Sequence, residues 1–245
     1  MENYNKNTYG KRLSISDIYR NIGAAHHSTL QTIPINKENI QKDFKKYYDS
    51  CIEYQKRFEQ YIDEFEQKRY MAPVELLICT HYRDIDYIVR ELLNRLDQFN
   101  SEILKVSEWR YCLCYGQNNI KNLLVKGNLY QSSQTDYFHA NAVLDIVSMI
   151  KCQLYNLDLG TTNLSEYFTL YRKENSLVQI EKELLAIYLL DPTEYFQTVE
   201  GYATRTTDQS MMEYIMVLKR NQRFLLQMVD WSRNNLNLES NDDTD

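Results

Sequence analysis

Residues 36–70 read NKENIQKDFKKYYDSCIEYQKRFEQYIDEFEQKRY, and this stretch decides the fold. Within it Ile40, Phe44, Tyr47, Cys51, Tyr54, Phe58, Tyr61 and Phe65 recur at alternating spacings of four and three. Residues three or four apart share one face of an α-helix, so the stretch carries a heptad stripe of mostly aromatic side chains. Lys45, Lys46, Glu53, Lys56, Glu59 and Glu66 fill the other faces, and Asn36 stands where an N-cap belongs. At 1.5 Å per residue such a helix reaches ~50 Å, more than the width of a compact chain of this size. The reach predicts an elongated hairpin or an intermolecular bundle. Phe and Tyr stand where a two-stranded zipper uses Leu, Ile and Val, so packing against several helices is expected. Phe44, Tyr47, Tyr54, Phe58, Tyr61 and Phe65 are the candidate interaction residues.

Outward from this helix the same period continues. Pro73 suits a first helical turn, and Val74, Leu77, His81, Ile85, Ile88, Leu92, Leu96 and Phe99 form a second stripe that folds back on the first. From Ser101 the spacing predicts either a new helix or a continuation to Tyr115, with Gly116 as the stop. A short helix over Asn119 to Lys126 is closed by Gly127, and Gln131 to Thr135 is a polar loop. Thr135 can cap a helix that stops near Gly160, and Asn163 with Glu166 opens another with a break at Ser176. Asp191, Pro192 and Glu194 give an N-cap, a first-turn proline and an N3 carboxylate, with Gly201 as the end. A last helix runs from about Asp208 to Trp231. No stretch alternates with period two for long enough to make a sheet. The expected fold is therefore all-α, an elongated bundle of about six to eight helices. Its parts are an N-terminal arm (1–35), a long hairpin with a short helix (36–130), a C-terminal helical half (131–233) and a flexible acidic tail (234–245).

Composition supports this reading. Six Gly and three Pro among 245 residues leave little material for tight turns or phosphate-cradling loops. A net charge of −6 disfavours nucleic acid as a main partner, because phosphate backbones are held by Lys and Arg. Lys37, Lys42, Lys45 and Lys46 form the densest basic cluster, but Glu38 and Asp43 lie among them and mark a solvated helix face. The N-terminal residues lack a secretory pattern, and no apolar run is long enough to cross a bilayer, so no membrane partner is expected. Five cysteines, at 51, 79, 112, 114 and 152, fit a reducing compartment, the cytoplasm, or a host cytoplasm and virion for a viral protein.

Four constellations carry candidate chemistry. Arg20, Asn21, Ile22, Gly23, Ala24, Ala25 and His26, followed by His27, are similar to the signature of the HEPN family of helical ribonucleases. That resemblance implies metal-independent RNA cleavage in which Arg20 and His26 of two protomers meet. Asp17, Ile18, Ile22, Gly23, Ser28, Leu30 and Ile33 loosely resemble a DNA-binding helix-turn-helix over residues 14–33, with Tyr19 where a small residue belongs. Cys79, His81, Cys112 and Cys114 make a nominal zinc set, but the spacing departs from that of zinc ligands, and residues two apart on a helix diverge. Buried thiols and no metal are expected. The carboxylate pairs Asp84 with Asp86, and Glu181 with Glu183, read as surface charge.

With 21 Tyr spread along the helices and no catalytic motif, the leading expectation is a non-enzymatic structural subunit. It would act through protein contacts in a homo-oligomer or larger assembly, as a virion ring or connector does, with no cofactor. A HEPN-like ribonuclease and an N-terminal helix-turn-helix DNA binder are the alternatives.

Overall fold

The computed structural model describes residues 13–126, 137–156 and 161–236. The ends expected at Gly127 and Gly160, the cap at Thr135, the loop from Gln131 and the tail beyond 236 lie outside the described residues. The architecture is all-α in the main, with one small sheet. In chain order the elements are α1 (Ile15–Ser28), β1 (Gln31–Pro34), α2 (Lys37–Glu66), α3 (Pro73–Lys105), β2 (Glu108–Cys114), α4 (Gln117–Lys126), β3 (Phe138–Ala140), α5 (Val143–Asn156), α6 (Thr161–Glu174), α7 (Gln179–Leu189), α8 (Thr193–Thr204) and α9 (Met211–Leu236). The strands form one sheet in the order β1-β2-β3.

The chain divides into two units. Unit 1 is built from residues 1–31 and 110–176, and unit 2 from 32–109 and 177–245. In unit 1, Ser14 and Asp17 close a capping box at the start of α1, which packs against α6. Gly23 lies inside α1 at the point of closest approach. A Cβ there would stand 3.0 Å from both the Tyr171 carbonyl and the Glu174 Cβ. This glycine lets two helices touch. Ile18, Tyr19, Ile22, Ile146, Ile150 and Phe168 are buried in this unit. Strand β2 pairs antiparallel with β3, Cys112 opposite Ala140 and Cys114 opposite Phe138.

In unit 2, the quoted stripe forms α2, capped by Asn36 whose side chain accepts from the Asn39 N–H at 3.1 Å. Helix α2 packs on α3, and α3 also packs on α7 and α9. Ile78, Ile85, Ile88, Leu92, Leu96 and Phe99 along α3 are fully buried, each worth ~1.5–3 kcal/mol of transfer free energy.

Several boundaries differ from the sequence expectations. The helix expected through Tyr115 ends at Lys105, where Val106 turns to extended backbone (φ −99°, ψ 137°). Trp109 and Tyr111 then favour a strand over a helix. The second helix of a helix-turn-helix is absent from residues 14–33, since α1 is followed by β1. Gly201 lies within α8, which ends instead at Arg205 in the left-handed region (φ 54°). Asp191 still serves the start of α8, accepting from the Thr193 N–H and hydroxyl at 3.1 and 2.6 Å.

Candidate functional site

Unit 1 carries a continuous buried polar chain. Asn175 donates its amide to the Tyr171 hydroxyl at 2.9 Å. That hydroxyl meets His26 Nδ1 at 2.8 Å, and His26 Nε2 meets Asp145 Oδ2 at 3.1 Å. Because Asn175 donates to Tyr171, the tyrosine proton is directed at Nδ1, and Nε2–H then donates to the carboxylate. Asp145 also accepts the backbone N–H of Tyr115 (2.6 Å, Oδ2) and Gly116 (3.0 Å, Oδ1). The side chains of His26 and Asp145 are 0% and 1% exposed. A buried carboxylate with this many donors is satisfied, and it fixes the turn that leaves β2 for α4.

Beside this chain, β2 directs Cys112 and Cys114 to one face, because alternate residues of a strand point the same way. Both thiols are buried, with sulfurs 4.0 Å apart, and Cys114 Sγ also lies 3.6 Å from the Asn141 carbonyl and 3.7 Å from that of Ala140. The ligand atoms of His26, Cys112 and Cys114 all lie within 4.8 Å of one another. The hydrogen bond to Cys112, burial and the nearby Asp145 carboxylate push the Cys114 thiol well above its ordinary range. Sequence reasoning set this pair aside by treating residues 112 and 114 as helical. The aromatic and Cys-rich run EWRYCLC was the signal of a strand, and a strand reverses the geometric objection.

Arg20 is half-exposed and pairs with Asp17 at 3.8 Å, whereas His26 is sealed. Six positions on a helix put them ~120° apart on α1, and the sealed His26 presents no face to a substrate. Cys79 and His81 belong to α3 in unit 2, where His81 Nδ1 meets the Tyr195 hydroxyl at 3.2 Å. Burial lowers the His81 imidazole from its ordinary value. Asp84 and Asp86 accept from Gln222 and Gln55.

Glu181 and Glu183 are buried, correcting their reading as surface charge. Glu181 accepts the Val178 N–H at the start of α7, and Glu183 faces the buried Arg95 at 3.7 Å. Burial raises the Glu183 carboxyl despite that arginine. Arg95 and Arg233 both hold Glu91, at 2.7 and 2.6 Å.

The six aromatics of the stripe make their ring and hydroxyl contacts within unit 2. Phe44 stacks on Phe99, Tyr54 on Phe196, and Tyr61 on Phe65. Phe58 meets Tyr195 and Phe196 edge-on, Phe65 meets Tyr202, and the Tyr47 hydroxyl donates to Asp191 at 2.7 Å. A groove between α2 and α8 is lined by Tyr54, Arg57, Phe58, Tyr61, Phe196 and Glu200, with Arg57 and Glu200 paired at 2.7 Å across it. Among the described residues no helix is long and apolar enough to cross a membrane.

No family model matches the chain, and no curated protein sequence does. A solved structure does match in fold: a crystal structure of an aminoglycoside phosphotransferase from Alicyclobacillus acidocaldarius, at a TM-score of 0.54 and 10% sequence identity. The match covers 90% of this chain and 66% of that one, so this chain spans just under two thirds of the phosphotransferase's length. The likeness is one of fold. It overturns the expectation of a non-enzymatic assembly subunit, because the helical architecture read as structural is similar to one on which a phosphotransferase is built.

Proposed function

We propose that this chain is a phosphotransferase-type protein that passes a phosphoryl group to a hydroxyl-bearing small molecule, with the β2–α4 junction as its working end. The observation that supports this reading is the clamp at that junction. Asp145 holds the N–H groups of Tyr115 and Gly116 in a chain whose fold is similar to that of an aminoglycoside phosphotransferase. Phosphoryl transfer asks for little covalent chemistry from the protein. It needs an acceptor oxygen held in line and charge stabilised around the moving group. Protein kinases supply the acceptor side from a loop reading His-Arg-Asp, four further residues and Asn, while GTPases position the attacking water with a glutamine. Here the residues leaving β2 are Tyr115, Gly116 and Gln117, and Asn122 follows at the kinase spacing.

Gln117 opens α4 and is exposed, which suits a group that meets a substrate. An amide can orient a hydroxyl but cannot take its proton, so transfer is slow. Five residues of helix turn the chain by ~500°, leaving Gln117 and Asn122 ~140° apart, so the two do not converge on one metal ion. Gln117 is the positioning residue of this reading.

The test is transfer from magnesium-ATP to an aminoglycoside, followed by mass spectrometry of the acceptor. Wild type should give slow phosphorylation, and Gln117→Asp, which installs a base, should accelerate it by ~10²-fold or more. If both proteins keep their circular dichroism and neither phosphorylates the acceptor nor binds the nucleotide, the reading is wrong.

A further inference from the structure

Two buried thiols alone would be ordinary packing, since cysteine behaves as a small apolar side chain. What sets Cys112 and Cys114 apart is the third group. Helix α1 brings His26 to them from 86 and 88 positions earlier in the chain, and all three side chains are 0% to 1% exposed. From the geometry of this cluster we infer that His26, Cys112 and Cys114 form a structural site for a thiophilic divalent cation of the zinc class.

The dimensions agree. Bonds of ~2.3 Å to sulfur and ~2.0 Å to nitrogen, at tetrahedral angles, place two sulfurs ~3.8 Å apart and sulfur ~3.6 Å from nitrogen. The sulfurs here are 4.0 Å apart and all three ligand atoms fall within 4.8 Å of one another, so shifts of a few tenths of an ångström to about one close the site around an ion. The surroundings are rich in electron pairs. The carbonyls of Ala140 and Asn141 face Cys114, and Asp145 faces His26. Such surroundings favour a positive ion among them.

Binding is balanced as the exchange of one divalent cation for the two thiol protons, which leave to solvent, with no change of oxidation state. His26 gives one ring nitrogen to the ion and keeps the other bonded to Asp145 or Tyr171, the kind of support that orients histidine ligands elsewhere. Two thiolates and an imidazole suit zinc better than magnesium or calcium, which take oxygen. The site is closed to solvent, so the ion joins as unit 1 folds, and it links α1 to β2.

The experiment uses the full chain, produced with zinc in the medium and purified under reducing conditions. Elemental analysis should find about one zinc per chain, and replacement by Co2+ should give the near-ultraviolet charge-transfer band of cobalt–thiolate bonds. Removing zinc with a chelator should lower the melting temperature. Cys112→Ser and Cys114→Ser should each abolish the cobalt band, and Cys79→Ser, in unit 2, should leave it unchanged. If a serine variant fails to fold, the zinc content and cobalt band of the wild type decide alone. Wild type without zinc and without a cobalt band would overturn the assignment. So would metal retained by a folded Cys112→Ser/Cys114→Ser double variant, or a mass two hydrogens lighter before reduction, which would show a disulfide in place of a metal site.

Discussion

Replacing Asp145 by Asn tests whether the clamp at the end of β2 holds unit 1 together. The wild-type carboxylate accepts three donors, Tyr115 N–H at 2.6 Å, Gly116 N–H at 3.0 Å and His26 Nε2 at 3.1 Å. An asparagine has one accepting oxygen and one NH2. Whichever way it turns, the NH2 opposes at least one N–H group at a buried site, and the charge that strengthened every bond is gone. Losing one hydrogen bond to a charged acceptor outright, at ~1.5–3 kcal/mol, and weakening the other two costs about 3 kcal/mol. For a chain of this length that corresponds to a fall of roughly 6–12 °C in melting temperature. Thermal denaturation by circular dichroism, with urea titration beside it, measures the change. Asp230→Asn, on the exposed side of α9, is the control and should stay within ~0.5 kcal/mol of wild type. An Asp145→Asn protein as stable as that control would refute the account of the clamp.

Other consequences follow from the same structure. Gly23→Ala places a Cβ against the Tyr171 carbonyl and the Glu174 side chain, so overpacking of ~1–3 kcal/mol should outweigh the helix-propensity gain of up to ~1 kcal/mol, visible as a lower urea midpoint. Arg95→Met removes the cation between Glu91 and Glu183 and should destabilise by about 3–5 kcal/mol, with Arg95→Met/Glu183→Gln recovering part of the loss. His81 is held neutral by burial, below the ordinary value of 6.5. The unfolded chain therefore binds a proton first as pH falls, and stability present above 6.5 is lost as pH drops through and below it. His81→Gln, which can still accept from Tyr195, should flatten that part of a urea-midpoint against pH profile.

The helical character of the chain was legible wherever a stripe ran long. Residues 36–70 and 73–99 gave α2 and much of α3, because apolar spacing and the Asn36 cap are local signals. Strand β2 was missed because it has only seven residues and its partner β3 only three, too short for period two to stand out. That miss carried the site with it: Cys112 and Cys114 share a face only as a strand. His26 could not be joined to them either, since its partners Asp145 and Tyr171 lie 119 and 145 positions away. Buried Glu183 was invisible for a similar reason, since Arg95 reaches it only through the fold, whereas Glu181 makes a local capping contact with the Val178 N–H three residues back. The reason for a glycine at position 23, inside α1, lies on another helix, at Tyr171 and Glu174.

Unit 1 is discontinuous in the chain, and this has a consequence for how the protein is made. Helix α1 leaves the ribosome early, but α6, against which it packs, is encoded far downstream. At roughly 5–20 residues per second, Tyr171 appears about 7–30 s after His26. Throughout that interval the apolar face built from Ile18, Tyr19 and Ile22 has no α6 to cover it, whereas the α2–α3 pair is complete once residue 105 has been added. The nascent chain therefore exposes an amphipathic helix to chaperones for seconds, and unit 1 closes only when its last helix arrives.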